Sequence, residues 1–145
     1  MLSLEVQTRF MVNSDFDRVI DINCTSSGDY AWEPDDLWDE WKAEQGVGLV
    51  AVDMDDYPLG FCIYNLNNRE YYEIQHLVVE KCFQRSGIGA ALIDRMKSKL
   101  NDRRNILSYS VPEDNLPFKL FLKKMGFKAR FVRNCNVYRF EYEKV

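Results

Sequence analysis

One segment constrains this chain more than any other: Leu77 to Ala90, LVVEKCFQRSGIGA, in which an apolar stretch passes through a glycine-bearing turn into IGAALIDRMKSKL. Ile88, Leu92, Met96 and Leu100 recur at helical spacing, so the segment reads as a buried strand, a tight turn and an amphipathic helix. Backbone amides from Arg85 through Ala90 then sit at a helix N-terminus, where unpaired N–H groups and the macrodipole favour an anion. Gly87 and Gly89 let the backbone approach a ligand, and Arg85 adds a mobile positive charge; a pyrophosphate suits such a seat. The spacing is not the G-x-G-x-x-G of a dinucleotide fold, and no G-x-x-x-x-G-K-[ST] occurs. Glycines here also serve ordinary strand-to-helix turns, so the turn alone leaves both readings open.

The remaining segments follow at short intervals, with no internal repeat, low-complexity tract or Gly/Ser linker. Residues 4–12 are rich in β-formers, and Ser14 offers an N-cap to a first helix running to about Cys24. Pro34 suits the first turn of a second helix with Leu37, Trp38 and Trp41 on one side. VGLVAVDM and PLGFCIYNL form a hairpin about DDYP, YYEIQHLVV is a strand, and NILSYSV is another. LPFKLFLKKM is a short amphipathic helix, and the last twenty residues make a hairpin about Asn134 to Asn136. The order β, α, α, three strands, α, β, α, two strands is mixed α/β (α+β), and 145 residues fit one domain.

Several classes are disfavoured. No apolar run approaches the roughly 18 residues of a membrane span. Glu5 and Arg9 interrupt any export signal, and Cys24, Cys62, Cys82 and Cys135 form no C-x-x-C pair, which together imply a cytoplasmic protein with reduced thiols. With His76 the only histidine, no metal site is expected. Residues 1–60 carry 14 acids against 3 bases, whereas residues 61–145 carry 9 acids against 16 bases, so one surface suits cations and another anions. Overall acidity and the lack of a recognised module weigh against nucleic-acid binding.

Two ordered motifs carry a family resemblance. QRSGIGA, after a strand ending LVV, resembles the Q/R-x-x-G-x-G/A acetyl-coenzyme A motif of the GNAT acetyltransferases. NLPFKLFLKKMGF, Asn115 to Phe127, is similar to their N-x-x-A-x-x-L-Y-x-x-x-G-F helix. The resemblance spans nearly the whole chain, and AWEPDDLW and GFCIY are most like the ribosomal-protein alanine N-acetyltransferase (RimI-like) branch. It implies a mixed, mostly antiparallel sheet of six or seven strands flanked by about four helices, with the fourth and fifth strands splayed.

The resemblance also implies site roles. Leu77, Val78 and Val79 would meet the pantetheine arm, with the Leu77 amide facing the thioester oxygen; a fixed N–H there would stabilise the oxyanion formed on amine attack. Gln84, Arg85, Ser86, Gly87, Ile88, Gly89 and Ala90 would hold the pyrophosphate, and Asn115, Phe118 and Leu122 would flank the pantetheine and sulfur. Glu73, six residues before Val79, matches a general-base position of the superfamily; otherwise it is a strand-end carboxylate in water or paired with Arg69. The RimI-like branch's own base and acid positions hold Ser110 and Leu122, which puts its mechanism in doubt. Tyr72, Tyr109, Tyr138 or solvent would then supply the acid. Strand alternation turns His76 away from Glu73, to a packed, hydrogen-bonded place on the opposite face.

The implied acceptor is an amine, foremost a protein N-terminus, including that of a ribosomal protein. A small-molecule amine such as a polyamine is the alternative, and an acetyl-CoA-binding protein without turnover is the other class. Asp29, Glu33, Asp35, Asp36, Asp39, Glu40 and Glu44, with Tyr30 and Trp32, form either a rim for a cationic acceptor or the wet side of a helix. Both monomer and homodimer fit the resemblance.

Overall fold

The apolar hairpin, continuous rather than alternating, needs cover on both faces, and the architecture supplies it. A computed structural model describes residues 5–132 and 137–144. Its elements are β1 (Gln7–Phe10), α1 (Phe16–Ser26), α2 (Pro34–Lys42), β2 (Gly46–Val52), β3 (Pro58–Asn65), β4 (Tyr71–Val79), α3 (Ile88–Lys97), β5 (Ile106–Pro112), α4 (Leu116–Lys124), β6 (Lys128–Val132) and β7 (Val137–Glu143). Seven strands form one sheet in the order β1-β2-β3-β4-β5-β7-β6. Every pairing is antiparallel except β4 with β5. The turn expected about Asn134 to Asn136 lies outside the described residues.

Alternation along the strands sorts the core into two clusters. Leu49, Ala51, Cys62, Tyr64, Ile74 and Leu77 pack with Ile88, Leu92, Ile93 and Met96 of α3 and Leu122 of α4. Val50, Val52, Phe61, Ile63 and Val78 pack on the other face with Val19 and Ile22 of α1 and Leu37 and Trp41 of α2. Trp38, expected on the apolar side of α2, is 40% exposed at its edge, with its ring 4.9 Å from that of Phe16.

The first helix starts differently from expectation. Ser14 does not cap it; a 3-10 turn spans Asn13–Asp15, and the Asp15 carboxylate accepts the Val12 N–H at 2.8 Å. Arg9 grips the same carboxylate through two nitrogens at 2.8 and 2.9 Å and also reaches Asp56 at 2.8 Å. Burial acts to raise the Asp15 pKa, but the Arg9 and Val12 bonds prevail and hold it below the ordinary value. A carboxylate accepts several donors where a serine hydroxyl offers less, which is why Asp15 wins the junction.

Two irregularities of β4 shape everything downstream. Ile63 faces His76 while Tyr64 faces Ile74, leaving Gln75 as an extra residue, a β-bulge. The bulge reverses the alternation: Glu73 sits opposite Asn65 and His76 opposite Ile63, so both take the face of α1 and α2. The expectation that His76 lies on the other face from Glu73 is thereby overturned. The second irregularity is divergence. Parallel pairing between β4 and β5 runs from Tyr71 with Ile106 to Ile74 with Tyr109 and stops there. Beyond it, β4 stays with β3 as far as Val79, and β5 stays with β7 as far as Pro112.

Leu92, wholly buried between α3 and the sheet, tests this core. Leu92→Ala is expected to cost about 2–5 kcal/mol, read as a lower urea midpoint with an unchanged slope.

Candidate active site

The turn after β4 adopts the geometry its glycine suggested. Arg85 and Gly87 both have positive φ, 68° and 90°, and Gly87 is the N-cap residue of α3. No neighbour lies near the place where a Cβ on Gly87 would point, so its left-handed backbone, rather than crowding, selects glycine. The first intrahelical bond there runs from the Ala91 N–H to the Gly87 carbonyl, so the preceding amides stand at the free end of the helix. Gln84 donates its side-chain amide to the Val79 carbonyl at 3.2 Å, and the Ser86 hydroxyl bonds the Phe83 carbonyl. Arg85 and Ser86 are exposed, Ala90 is half-buried, and Ile88 is in the core. Gly89 serves a different purpose from backbone approach: a Cβ there would lie 3.1 Å from Cζ of Phe121 on α4, so glycine admits that ring.

Between the diverging strands, the Leu77 N–H donates to the Tyr109 hydroxyl at 2.9 Å. Tyr109 is buried, and its ring centre lies 5.0 Å from that of Phe118 on α4. Asn115 caps α4, its side-chain oxygen accepting the Phe118 N–H at 3.4 Å. Phe118 is half-buried, whereas Leu122 is wholly enclosed in the core. Leu122 therefore supports the wall from behind and offers no surface to a ligand. Val78 likewise points into the cluster under α1 and α2, and its side chain is not part of the gap. The free helix end, the left-handed turn and the parted strands together fit an acyl-coenzyme A, with amides for its pyrophosphate and an open strand edge for its extended arm.

On the other face, Glu73 lies one residue before the last β4–β5 pair, flanked by Asn65 of β3 and Ser108 of β5. Glu73 is half-buried, and Asn65 and Ser108 are buried. Ser110 is two residues along from Ser108 on the same side of β5 and is exposed.

His76 is packed and hydrogen-bonded as expected. Its Nε2 lies 2.9 Å from Oδ1 of Asn23, which also accepts the Trp32 N–H at 3.0 Å, while the Asn23 amide donates to the Trp32 carbonyl at 2.6 Å. With Oδ1 as acceptor, Nε2 carries the proton. The Trp32 ring stacks on the imidazole at 5.0 Å. This arrangement pins the α1–α2 loop against β4. Trp32, Glu33, Asp36, Asp39 and Glu40 line an open cleft of about 590 Å³ beyond it. Tyr30 in the same loop donates to Asp114, ahead of α4, at 3.0 Å and so joins the two sides of the site.

A family model places the chain. Residues 16–127 match the acetyltransferase (GNAT) family, well over half of the chain. This protein is a GNAT-family acetyltransferase, and acetyl-CoA is its acetyl donor.

Solved structures agree in fold. The chain is similar to an acetyltransferase from Thermus thermophilus (TM-score 0.81, 15% identity, 99% of this chain and 100% of that one). It is also similar to Ard1 from Thermoplasma volcanium (TM-score 0.78, 22% identity, 97% and 98%). Arabidopsis thaliana NAA60, solved in complex with acetyl-CoA, is another (TM-score 0.74, 18% identity, 96% and 98%). No curated protein matches the chain significantly. The neighbours do not single out the RimI-like branch.

Sequence reasoning missed the Leu77–Tyr109 bond and the Asn23–His76–Trp32 cluster. Tyr109 is one of three tyrosines offered as the acid, and nothing in the linear pattern joins it to Leu77. His76 is expected to be hydrogen-bonded, but nothing in the sequence identifies its partner as Asn23, beside Ile22 on α1.

No group of three or more potential metal ligands occurs among the described residues. No helix among them is long and apolar enough to cross a membrane.

Burial holds the His76 pKa down at about 4, below its ordinary 6.5, so the folded protein keeps the ring neutral where the unfolded chain protonates it. Stability is therefore expected to fall as pH drops from about 6.5 towards 4, by roughly 3 kcal/mol in all. Urea midpoints across that range should show the fall in the wild type and a flatter curve in His76→Gln.

Proposed function

We propose that this acetyltransferase acts on a primary amine, most closely a protein N-terminal amine, with Glu73 as the base. The observation that carries this reading is the placement of Glu73. The β4–β5 register, which pairs Tyr109 with Ile74, puts Glu73 and the gap's inner wall on different faces: Glu73 faces the α1–α2 side, whereas Tyr109 and Phe118 belong to the side of α3 and α4. Donor and acceptor can then approach through the parted strands from opposite sides, meeting beside the last β4–β5 pair.

In this reading the amides and left-handed turn from Gln84 to Ala90 hold the pyrophosphate. Leu77 and Val79 offer backbone groups to the pantetheine arm, and Asn115 and Phe118 shape its far wall. The thioester, when bound, supplies the activated acetyl carbon. Glu73 receives the proton that the amine sheds on attack, and the Leu77 amide steadies the negative charge on the thioester oxygen. Transfer is direct. Cys62, which faces Leu77 across β3 and β4, has its thiol pushed up to about 12 by burial and stays protonated, so it is no nucleophile. The acidic cleft beside Trp32 supports a cationic acceptor, since clustered carboxylates draw amines and basic peptides towards the site. The resemblance to the RimI-like branch supports a peptide terminus over a free polyamine; the exchange of its catalytic pair for Ser110 and Leu122 moves proton handling to Glu73.

A thiol-release assay over N-terminal peptides and polyamines decides the acceptor: turnover on peptides is expected, and turnover confined to polyamines would overturn the peptide reading. Glu73→Gln should lower kcat by about 10²–10⁴-fold on the accepted substrate while leaving acetyl-CoA affinity intact. Intact-mass spectra after incubation with acetyl-CoA alone should show no acetyl adduct, as direct transfer requires.

A further inference from the structure

The gap between β4 and β5 holds a polar group that the proposed transfer leaves unused. Among the described side chains, Tyr109 is the one whose hydroxyl accepts the Leu77 N–H, at 2.9 Å. Its oxygen thus occupies the position an acceptor of that amide must take, which is where the thioester oxygen would go. The phenol still carries its own proton. The ring is held from one side by Phe118, 5.0 Å away, and faces Phe140 across β5 and β7, so the hydroxyl is anchored at the mouth of the divergence.

We propose that Tyr109 is a second oxyanion donor: when an acyl oxygen takes the Leu77 amide, the displaced Tyr109 hydroxyl turns from acceptor to donor and bonds the same oxygen. The inference rests on the role given to Leu77. During transfer the amine nitrogen bonds the acetyl carbon, and the C–S bond breaks with its electron pair on sulfur. The amine's proton passes to Glu73, the thiolate takes a proton from solvent, and Tyr109 keeps its own throughout.

Chemistry favours this role over proton donation to sulfur. Burial, with Cys62 nearby, drives the Tyr109 pKa upward from its ordinary value, although the Leu77 bond pulls the other way. A thiol ordinarily titrates near 8.5, so moving a proton from this phenol to a thiolate runs uphill. A neutral donor fixed in a dry site, by contrast, gains strength as charge grows on the oxygen it faces.

Isotope-edited infrared spectroscopy of carbonyl-¹³C acetyl-CoA bound to the enzyme reads this bond without any acceptor. Bound to the wild type, the carbonyl stretch should fall below that of free acetyl-CoA. Tyr109→Phe should return it part of the way, and 3-fluorotyrosine at position 109, a stronger donor of the same shape, should lower it further. A stretch lowered equally in wild type and Tyr109→Phe overturns the Tyr109 role while leaving that of Leu77 in place. A stretch in the wild type equal to the free value overturns both. In turnover, Tyr109→Phe should lose about 10²–10³-fold in kcat with an unchanged pH profile. Loss of the alkaline limb in that variant would show proton transfer instead and overturn the proposal.

Discussion

Parallel pairing between β4 and β5 stops at Ile74 and Tyr109, and the site depends on that halt. A parallel ladder that continued would satisfy the Leu77 edge with strand backbone and leave nothing for a ligand. Each strand keeps its other neighbour, so the opening spares the sheet: β4 remains tied to β3 and β5 to β7. The bulge at Gln75 adds local twist to β4 right where the strands part, which is what such insertions do to a strand's path. Divergence and bulge together put an open backbone edge, a carboxylate and a left-handed turn at a free helix end within one short stretch of chain.

The two faces of the sheet contribute unequally. Behind the gap, α3 and α4 form a tightly fitted wall in which Leu122, Phe121 and Gly89 fix the spacing. On the side of α1 and α2 the packing is aromatic and partly polar, with Asn23, His76 and Trp32 holding a loop to the strand. A buried amide and imidazole satisfy each other and the loop backbone, so the loop's position is set by directional bonds as well as by apolar contact. That suits a surface whose shape selects a substrate.

Much of this was legible in the sequence because periodicity and turn chemistry are local. The run from Leu77 to Ala90 announced strand, turn and helix, and the left-handed Gly87 follows from it. The element order followed in the same way, and the family resemblance supplied the single sheet and its splay. Three features resisted. The bulge at Gln75 has no composition of its own, so simple alternation sent His76 to the wrong face. Asp15, not Ser14, joins β1 to α1, because Arg9, itself gripped by Asp56, is turned onto its carboxylate only in the fold. Leu122 matched a motif position, yet its depth depends on how closely α4 meets the sheet. All three are set by the geometry of contacts made in the fold, which a linear pattern does not carry.

Phe121 and Gly89 meet across α4 and α3 so closely that a Cβ at 89 would lie 3.1 Å from the ring. A change at one position is therefore felt at the other. A lineage that acquires alanine at 89 needs the ring at 121 to give by a few tenths of an ångström, and if α4 moved with that ring, Phe118 would shift against Tyr109. A packing contact with no chemical role of its own thus couples substitutions in the two helices behind the gap.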